Sequence, residues 1–451
     1  MKIFISGDGE SGTYLAKLLS SENQDIILMG NNDEHLNNLD ARYNILTTSG
    51  NPLSVKDLKK AGVADSDLFI AVNKRTPLNI TACQLAKLCG ARSTVARIDE
   101  EELMRSPSRE FLETSGIGTM VFPELLGAHE VLVSLRNNWT KNRFELHGGL
   151  LTVVAVRLKG NSPLVGLTLR DLANTERTFH VAAIKRGWDL IIPRGSDTLL
   201  EGDTIYLVAT PENLNTLPAL CGTVQKRIRR VMIAGGDKFA RIVAARLMKD
   251  YDVVIIEPDR ELCRKITEIL PDVTVVNASF RNLDVLREED LPSMDAFLAF
   301  SGSDETNIVS CMIAREFGVG TVIAEIEDTQ YIAEGESLNI DKVINKKLVT
   351  SSHIMRLILN NDVEAPRLMS LESAGVMEIV VREGAKVAGE RVRDVHISRH
   401  LTIAGVIRGS KGYLVDGDTI LMPGDHVVAV CRNGHFKEVD RLFGKSPFQK
   451  K

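Results

Sequence analysis

Gly7, Gly9 and Gly12 stand in the spacing G-x-G-x-x-G inside the opening stretch MKIFISGDGESG, after a short apolar run, Lys2–Ser6. The residues from Thr13 to Leu19 continue with helical spacing. This predicts a strand, a tight turn and a helix whose first N–H groups face an anion. Gly7 permits the turn, Gly9 lets the backbone approach a pyrophosphate, and Gly12 lets helix and strand pack closely. Asp8, Glu10 and Ser11 belong to the same candidate loop. Carboxylates beside phosphate are unfavourable unless a cation or donor intervenes, so Asp8 and Glu10 are read as outward-facing and inert.

The chemistry recurs. Val231–Ala240 repeats strand, turn and helix, with Gly235 and Gly236 in the loop, at an offset of 228 residues. The same offset carries Asp67–Val72 onto Asp295–Phe300, Asn79 onto Asn307, Cys83 onto Cys311 and Gly90 onto Gly318. One register held over so many positions marks an internal duplication. The two sites differ in their residues. An acid at the end of the second strand would bond ribose hydroxyls; the first copy has Gly30 there, with Asn31 or Asn32 as neutral partners, whereas the second keeps Glu257. The second copy in turn has Asp237 where the first has Gly9, and its side chain would crowd and repel a pyrophosphate. The first site is therefore read as the nucleotide site and the second as the weaker one.

These residues need a scaffold of alternating strands and helices. Apolar runs at 2–6, 25–29, 45–48, 67–72 and 94–98 predict buried parallel strands, with helices over 33–43, 54–61 and 78–89 between them. Asn32 or Asp33 is the predicted N-cap of the first of these helices. A doubly wound sheet binds ligands at the carboxyl ends of its strands, which places Asn73, Lys74 and Arg97 beside the loop. Arg97 either forks a phosphate or pairs with Asp67 or Asp99. Pro123 opens a further helix to Arg136 with an apolar face. From about 150 the periodicity turns to strand alternation, giving a small α+β segment within range of independent folding. The order is sheet, small, sheet, small. The predicted fold class is α/β: two Rossmann-like doubly wound domains (1–138 and 225–360), each followed by a small α+β domain (139–224 and 361–451).

Bulk properties narrow the function. A net charge of −5 with no long basic run argues against nucleic acid. No apolar run reaches the ~18 residues of a membrane span. Six scattered cysteines form no C-x-x-C pair, and nine histidines show no H-E-x-x-H spacing, so neither a disulfide frame nor a metal site is expected.

Gly7-x-Gly9-x-x-Gly12, Asp67–Val72 with Asn79, Ala96-Arg97-Ile98, Ser301–Asn307 and the terminal Val439–Phe443 together give the chain its resemblance. It resembles the TrkA family of Trk potassium-uptake regulators, tandem members of the RCK (regulator of K⁺ conductance) class. The resemblance covers essentially the whole chain. It implies a non-enzymatic regulatory subunit at the cytoplasmic face of the membrane. Such a subunit binds NAD(H), ATP or ADP, with Ser301 among the site residues of the second copy. It also implies a homotetrameric ring of eight domains docked beneath a membrane K⁺-translocating subunit. The rival reading from the loop alone, an NAD-dependent dehydrogenase, requires a proton donor or base beside the nicotinamide; the small duplicated domains offer no convincing constellation. A DNA-binding redox repressor would need a basic helix pair, and none is evident.

Overall fold

The computed structural model describes residues 1–20, 24–43, 45–173, 178–187, 189–332, 335, 338–360, 367–371, 374–432 and 435–444. The expected boundary near 360 adjoins 361–366, which lie outside the described residues. The chain divides into two compact units that interleave along the sequence. One is Met1–Leu132 with Arg229–Met355; the other is Val133–Ile228 with Arg356–Lys451.

In the first unit, strands β1 (Lys2–Ser6), β2 (Asp25–Gly30), β3 (Leu46–Ser49), β4 (Leu68–Ala71), β5 (Ser93–Arg97) and β6 (Thr119–Val121) form a parallel sheet ordered β3-β2-β1-β4-β5-β6. Helices α1 (Glu10–Ser20), α2 (Asp33–Arg42), α3 (Val55–Lys60), α4 (Thr76–Leu88) and α5 (Ser108–Thr114) connect them, and α6 (Pro123–Arg136) follows. Ile3, Phe4 and Ile5 are fully buried, as residues of a strand covered on both faces must be. Asn32 caps α2 by accepting the His35 amide, so the predicted start is found. The order reverses between β1 and β4, which opens a crevice at the carboxyl ends of these strands.

The second copy repeats the order. Strands β12 (Arg230–Ala234), β13 (Asp252–Glu257), β14 (Thr274–Asn277), β15 (Ala296–Ala299), β16 (Thr321–Glu325) and β17 (Lys342–Ile344) run β14-β13-β12-β15-β16-β17. Its helices are α9 (Lys238–Leu247), α10 (Arg260–Ile269), α11 (Leu283–Glu288), α12 (Asp304–Glu316) and α13 (Lys346–Asn360). The two copies meet through reciprocal elements. Gly127 of α6 abuts Phe239 of α9 so closely that a Cβ would lie 2.9 Å from the ring. Lys238 donates to the Asp99 carbonyl and sits 5.0 Å from the Phe122 ring centre. From α13, Lys347 pairs with Glu10 at the start of α1. The start of each glycine-loop helix thus touches the other copy near its last strands and final helix.

The second unit holds two antiparallel sheets. One comprises β7 (Asn142–Leu146), β8 (Leu151–Arg157), β9 (His180–Arg186), β10 (Asp189–Ile191) and β11 (Thr204–Ala209), with α7 (Leu169–Ala173) and α8 (Leu217–Leu220). The other comprises β18 (Arg367–Leu371), β19 (Ala374–Val380), β20 (Leu401–Arg408), β21 (Lys411–Leu414) and β22 (His426–Arg432), with α14 (Phe436–Phe443). Val153, Ala183 and Val208 of the first small sheet share one buried core with Val376, Ala404 and Val428 of the second. Each sheet carries the same clasp. Arg186 forks Asp203 at 2.8 and 2.7 Å, and Arg408 forks Asp425 at 2.7 and 2.7 Å. No helix of the described residues is long and apolar enough to cross a membrane.

Candidate functional site

Gly7 adopts φ +123° and its amide donates to the Met29 carbonyl at 2.9 Å, turning the chain sharply out of β1. A Cβ on Gly12 would lie 1.8 Å from the Gly7 carbonyl oxygen, so no side chain fits there. Gly9 has nothing within 4 Å of its Cβ position and faces open space. Helix α1 begins at once. Among the described residues, the amides of Glu10, Ser11 and Gly12 donate to no side chain; the first bonded amide is Thr13, to the Gly9 carbonyl at 2.9 Å. Unsatisfied donors at the positive end of a helix dipole form an anion site.

Asp8 and Glu10 depart from the inert reading. Asp8 Oδ2 accepts the amides of Asn31 and Asn32, each at 2.9 Å. A Cβ on Gly30 would lie 2.1 Å from Asp8 Cγ. The loop acid therefore occupies the space where an acid at the end of β2 would stand, and Gly30 is the residue that admits it. Asn31 contributes its backbone here, and the Asn32 side chain is committed to capping α2. Glu10 is tied to Lys347, because a carboxylate next to anion-binding amides is tolerated when a cation holds it aside.

The second loop is closed by its own side chains. Gly235 makes the same turn, at φ +107°, with its amide on the Ile256 carbonyl. Glu257 Oε2 accepts the Gly236 amide at 2.7 Å and Oε1 accepts the Asp259 amide at 2.8 Å. Asp237 is the N-cap of α9, accepting the Ala240 amide at 2.8 Å. Pairing of Ser6 with Met29 and of Ala234 with Ile256 aligns Gly30 with Glu257, and Asp8 with Gly236. Acid and glycine have exchanged places between the copies, so a carboxylate bridges loop and second strand in both. The cap differs: Gly9 leaves the helix start open, and Asp237 fills it.

The TrkA-N domain model matches residues 3–123 and 231–346, which together make up more than half of the chain. The chain belongs to the TrkA-N domain family. The TrkA-C domain model matches 153–222 and 376–444, the two small sheets. Over 458 residues the chain is 29% identical to the Trk system potassium uptake protein TrkA of Haemophilus influenzae, covering 99% of this chain and 100% of that one. It is 28% identical to the protein of the same name from Halomonas elongata, over 98% of each chain. Among solved structures, the GsuK channel aligns at a TM-score of 0.59 and 17% identity, covering 98% of this chain and 78% of that one. The GsuK channel bound to NAD aligns at 0.58, with the same identity and coverage. At that identity the likeness is one of fold.

In the first TrkA-N domain the remaining predicted residues are structural neighbours of the loop. Asn73 turns its amide inward to Ser6 and Asn79, and Lys74 is exposed. Arg97 pairs with Asp99 at 3.0 Å, whereas Asp67 pairs with Arg92 at 3.3 Å. In the second TrkA-N domain, Ser301 donates from both backbone and hydroxyl to Asn307 Oδ1. Asn79 and Asn307 are the clasps that the loop reading passed over. Each buried amide holds the exit of its fourth strand against its fifth, through Arg97 O and Glu325 O at 2.9 Å. Their shared place in the 228-residue register was the available signal.

Between the domains lies a cavity of ≈ 710 Å³, bordered by Glu10, Thr13 and Lys17 of α1, by Ser303 and Glu305, and by Lys347. A charge cluster lies beside it. Lys346 contacts Glu325 at 2.5 Å and Glu327 at 3.2 Å. Lys347 also contacts Glu327, at 3.4 Å. Burial pushes the more enclosed Glu325 carboxyl up to about 7, against the pull of Lys346. Burial also raises Glu327, but Lys346 and Lys347 outweigh it and hold that carboxyl below its ordinary value. Lys346 remains an ammonium, because the carboxylates overcome its desolvation. A larger cavity of ≈ 910 Å³ lies in the small-domain unit, with Leu164, Leu167, Leu169 and Leu172 among its lining residues.

Proposed function

We propose that this chain is a nucleotide-sensing regulatory subunit of a potassium uptake system, acting on a membrane K⁺-translocating subunit. Full-length similarity to Trk system potassium uptake proteins supports the potassium role. The observation that carries the nucleotide role is the open start of α1, set against the capped start of α9. A pyrophosphate of NAD(H), ATP or ADP would lie on the amides of Glu10, Ser11 and Gly12, with Gly9 allowing close approach. Asp8 Oδ1, which has no protein partner among the described residues, would accept a ribose hydroxyl in the manner of a β2 acid. Lys74 and the Arg97–Asp99 pair would border the ligand; the second copy, through Gly235, Gly236, Glu257 and Ser301, would act as the responding partner. The active assembly is proposed as a homotetrameric ring of eight sheet domains on the cytoplasmic face of the membrane, binding rather than transforming its ligand.

Calorimetric titration of the full chain with NADH, NAD⁺, ATP and ADP in turn tests the reading, alongside a mass measurement of the oligomer. Saturable binding of at least one nucleotide, lost in Gly9→Asp, is the expected result. Absence of binding by all four, or unchanged affinity in Gly9→Asp, would overturn it.

A further inference from the structure

We propose that His147, Glu378 and His426 form a divalent transition-metal site that ties the two small sheets together. The three residues are far apart in the chain, and no local spacing announces them. His147 follows β7 of the first small sheet; Glu378 lies in β19 and His426 opens β22 of the second. Glu378 pairs with Val428, and His426 stands two residues earlier on the same strand, so both side chains share one face. That face carries Val376, Val428 and Val430 into the core shared with the first small sheet. The apolar rows therefore end in an acid and an imidazole, which a second imidazole meets from across the interface.

The donor atoms converge. Glu378 Oε1 lies 2.9 Å from His147 Nδ1 and 2.8 Å from His426 Nδ1, and the three donor atoms all fall within 4.8 Å of one another. The rings meet edge to face, with centres 4.5 Å apart. A tetrahedral zinc at ~2.0–2.1 Å from such donors sets them about 3.3 Å apart, within reach of small side-chain rotations. The Glu378 side chain is 3% exposed and both imidazoles 32%, so the carboxylate is enclosed while water can reach a fourth position. Two nitrogens and one oxygen suit Zn²⁺, Co²⁺ or Ni²⁺ rather than Ca²⁺ or Mg²⁺, which favour all-oxygen shells.

Two further observations set this cluster apart from ordinary packing. The pairing of Arg157 with Thr204 matches that of Val380 with His426, which aligns Ala155 with Glu378 and Thr204 with His426. The first small sheet builds the same fold with Ala and Thr at those places. In addition, His147 holds φ +46°, a left-handed conformation that few residues other than glycine adopt, and is followed by Gly148 and Gly149 at φ +68° and +93°. The chain bends sharply at the point where the imidazole is delivered to Glu378.

The test uses the full chain, freed of metal by chelator dialysis and titrated with ZnCl₂ by calorimetry and with Co²⁺ by visible absorption. One Zn²⁺ per chain and tetrahedral Co²⁺ bands are expected, with no competition from millimolar Mg²⁺ or Ca²⁺. His426→Thr and Glu378→Ala carry the residues of the first sheet, and His147→Asn tolerates the left-handed backbone. Each is expected to weaken Zn²⁺ binding at least ~10-fold, with circular dichroism showing that the fold persists. Absence of stoichiometric binding by the wild-type chain would overturn the proposal. So would affinity unchanged in His147→Asn and His426→Thr, which would place the metal on other histidines.

Discussion

Position 9 and its counterpart 237 set stability and binding against each other. Asp237 satisfies the Ala240 amide, whereas Gly9 leaves the equivalent helix start to a ligand. Gly9→Asp is therefore expected to stabilise the ligand-free protein by about 0.5–2 kcal/mol, the usual worth of an N-cap, while abolishing nucleotide binding at the first loop. Denaturant unfolding and calorimetry on the same variant check both signs. The exchanged acid and glycine give a second expectation. Gly30→Glu alone drives a side chain into Asp8, where a Cβ already falls 2.1 Å from Cγ, and should lower stability by about 1–3 kcal/mol. Adding Asp8→Gly reproduces the arrangement of Gly236 and Glu257 and should recover most of that loss. Thermal unfolding of the single and double variants decides it, and additive losses would mean that the two positions do not compensate.

At the scale of elements, the duplicated glycine turns, the alternation of buried strands with helices and the α2 cap were legible because glycine spacing, buried apolar runs and Asn capping are local signals. Asp8 reaching over Gly30, the Glu10–Lys347 tie and the shared core of the small sheets were not. Each joins residues that the chain brings together only after folding, and hydrophobic alternation does not say which sheet covers a face. Glu325, at the end of β16, is another such case: its neighbours are Lys346 at the start of α13, Glu327, and Asp237 at the cap of α9. Its folded pKa of about 7 lies above the ordinary 4.5, so between those values the folded state binds the extra proton. The stabilisation is fully present below about pH 4.5 and lost as pH rises through 7, at no more than about 1.4 kcal/mol per pH unit. Glu325→Gln should flatten this part of the stability–pH curve measured by denaturant unfolding. Asp425 behaves oppositely. Burial raises it, but the Arg408 fork outweighs burial and holds it below 3.8, so that clasp weakens as acid is added. Asp425→Asn should cost about 1–3 kcal/mol at neutral pH, and less in acid.

For the molecule as a whole, a nucleotide can shift a conformational equilibrium only by binding its two states unequally, and the shift is reciprocal. Such coupling is typically worth about 1–3 kcal/mol, or roughly 5- to 150-fold in affinity. Two routes lead from the first loop to the second sheet domain. The Glu10–Lys347 pair is one, but Glu10 is 78% exposed, and exposed pairs contribute about 0–1 kcal/mol, too little for most of that range. The buried seam of Gly127 against Phe239, with Lys346 stacked 5.1 Å from the same ring, is the other. Packed apolar contacts have discrete arrangements and carry larger differences between states. The full chain is thus expected to change its nucleotide affinity by about 5-fold or more when the membrane K⁺-translocating subunit is bound. Glu10→Gln should trim this factor only slightly. Gly127→Leu, which wedges the seam without touching the glycine loop, should leave affinity in the absence of the partner near its original value and bring the factor close to one. Titrations of the three proteins with and without the reconstituted partner separate these outcomes. Equal affinities in both settings for the unaltered chain would mean that nucleotide occupancy and partner contact are independent, and that the open loop serves no regulatory purpose.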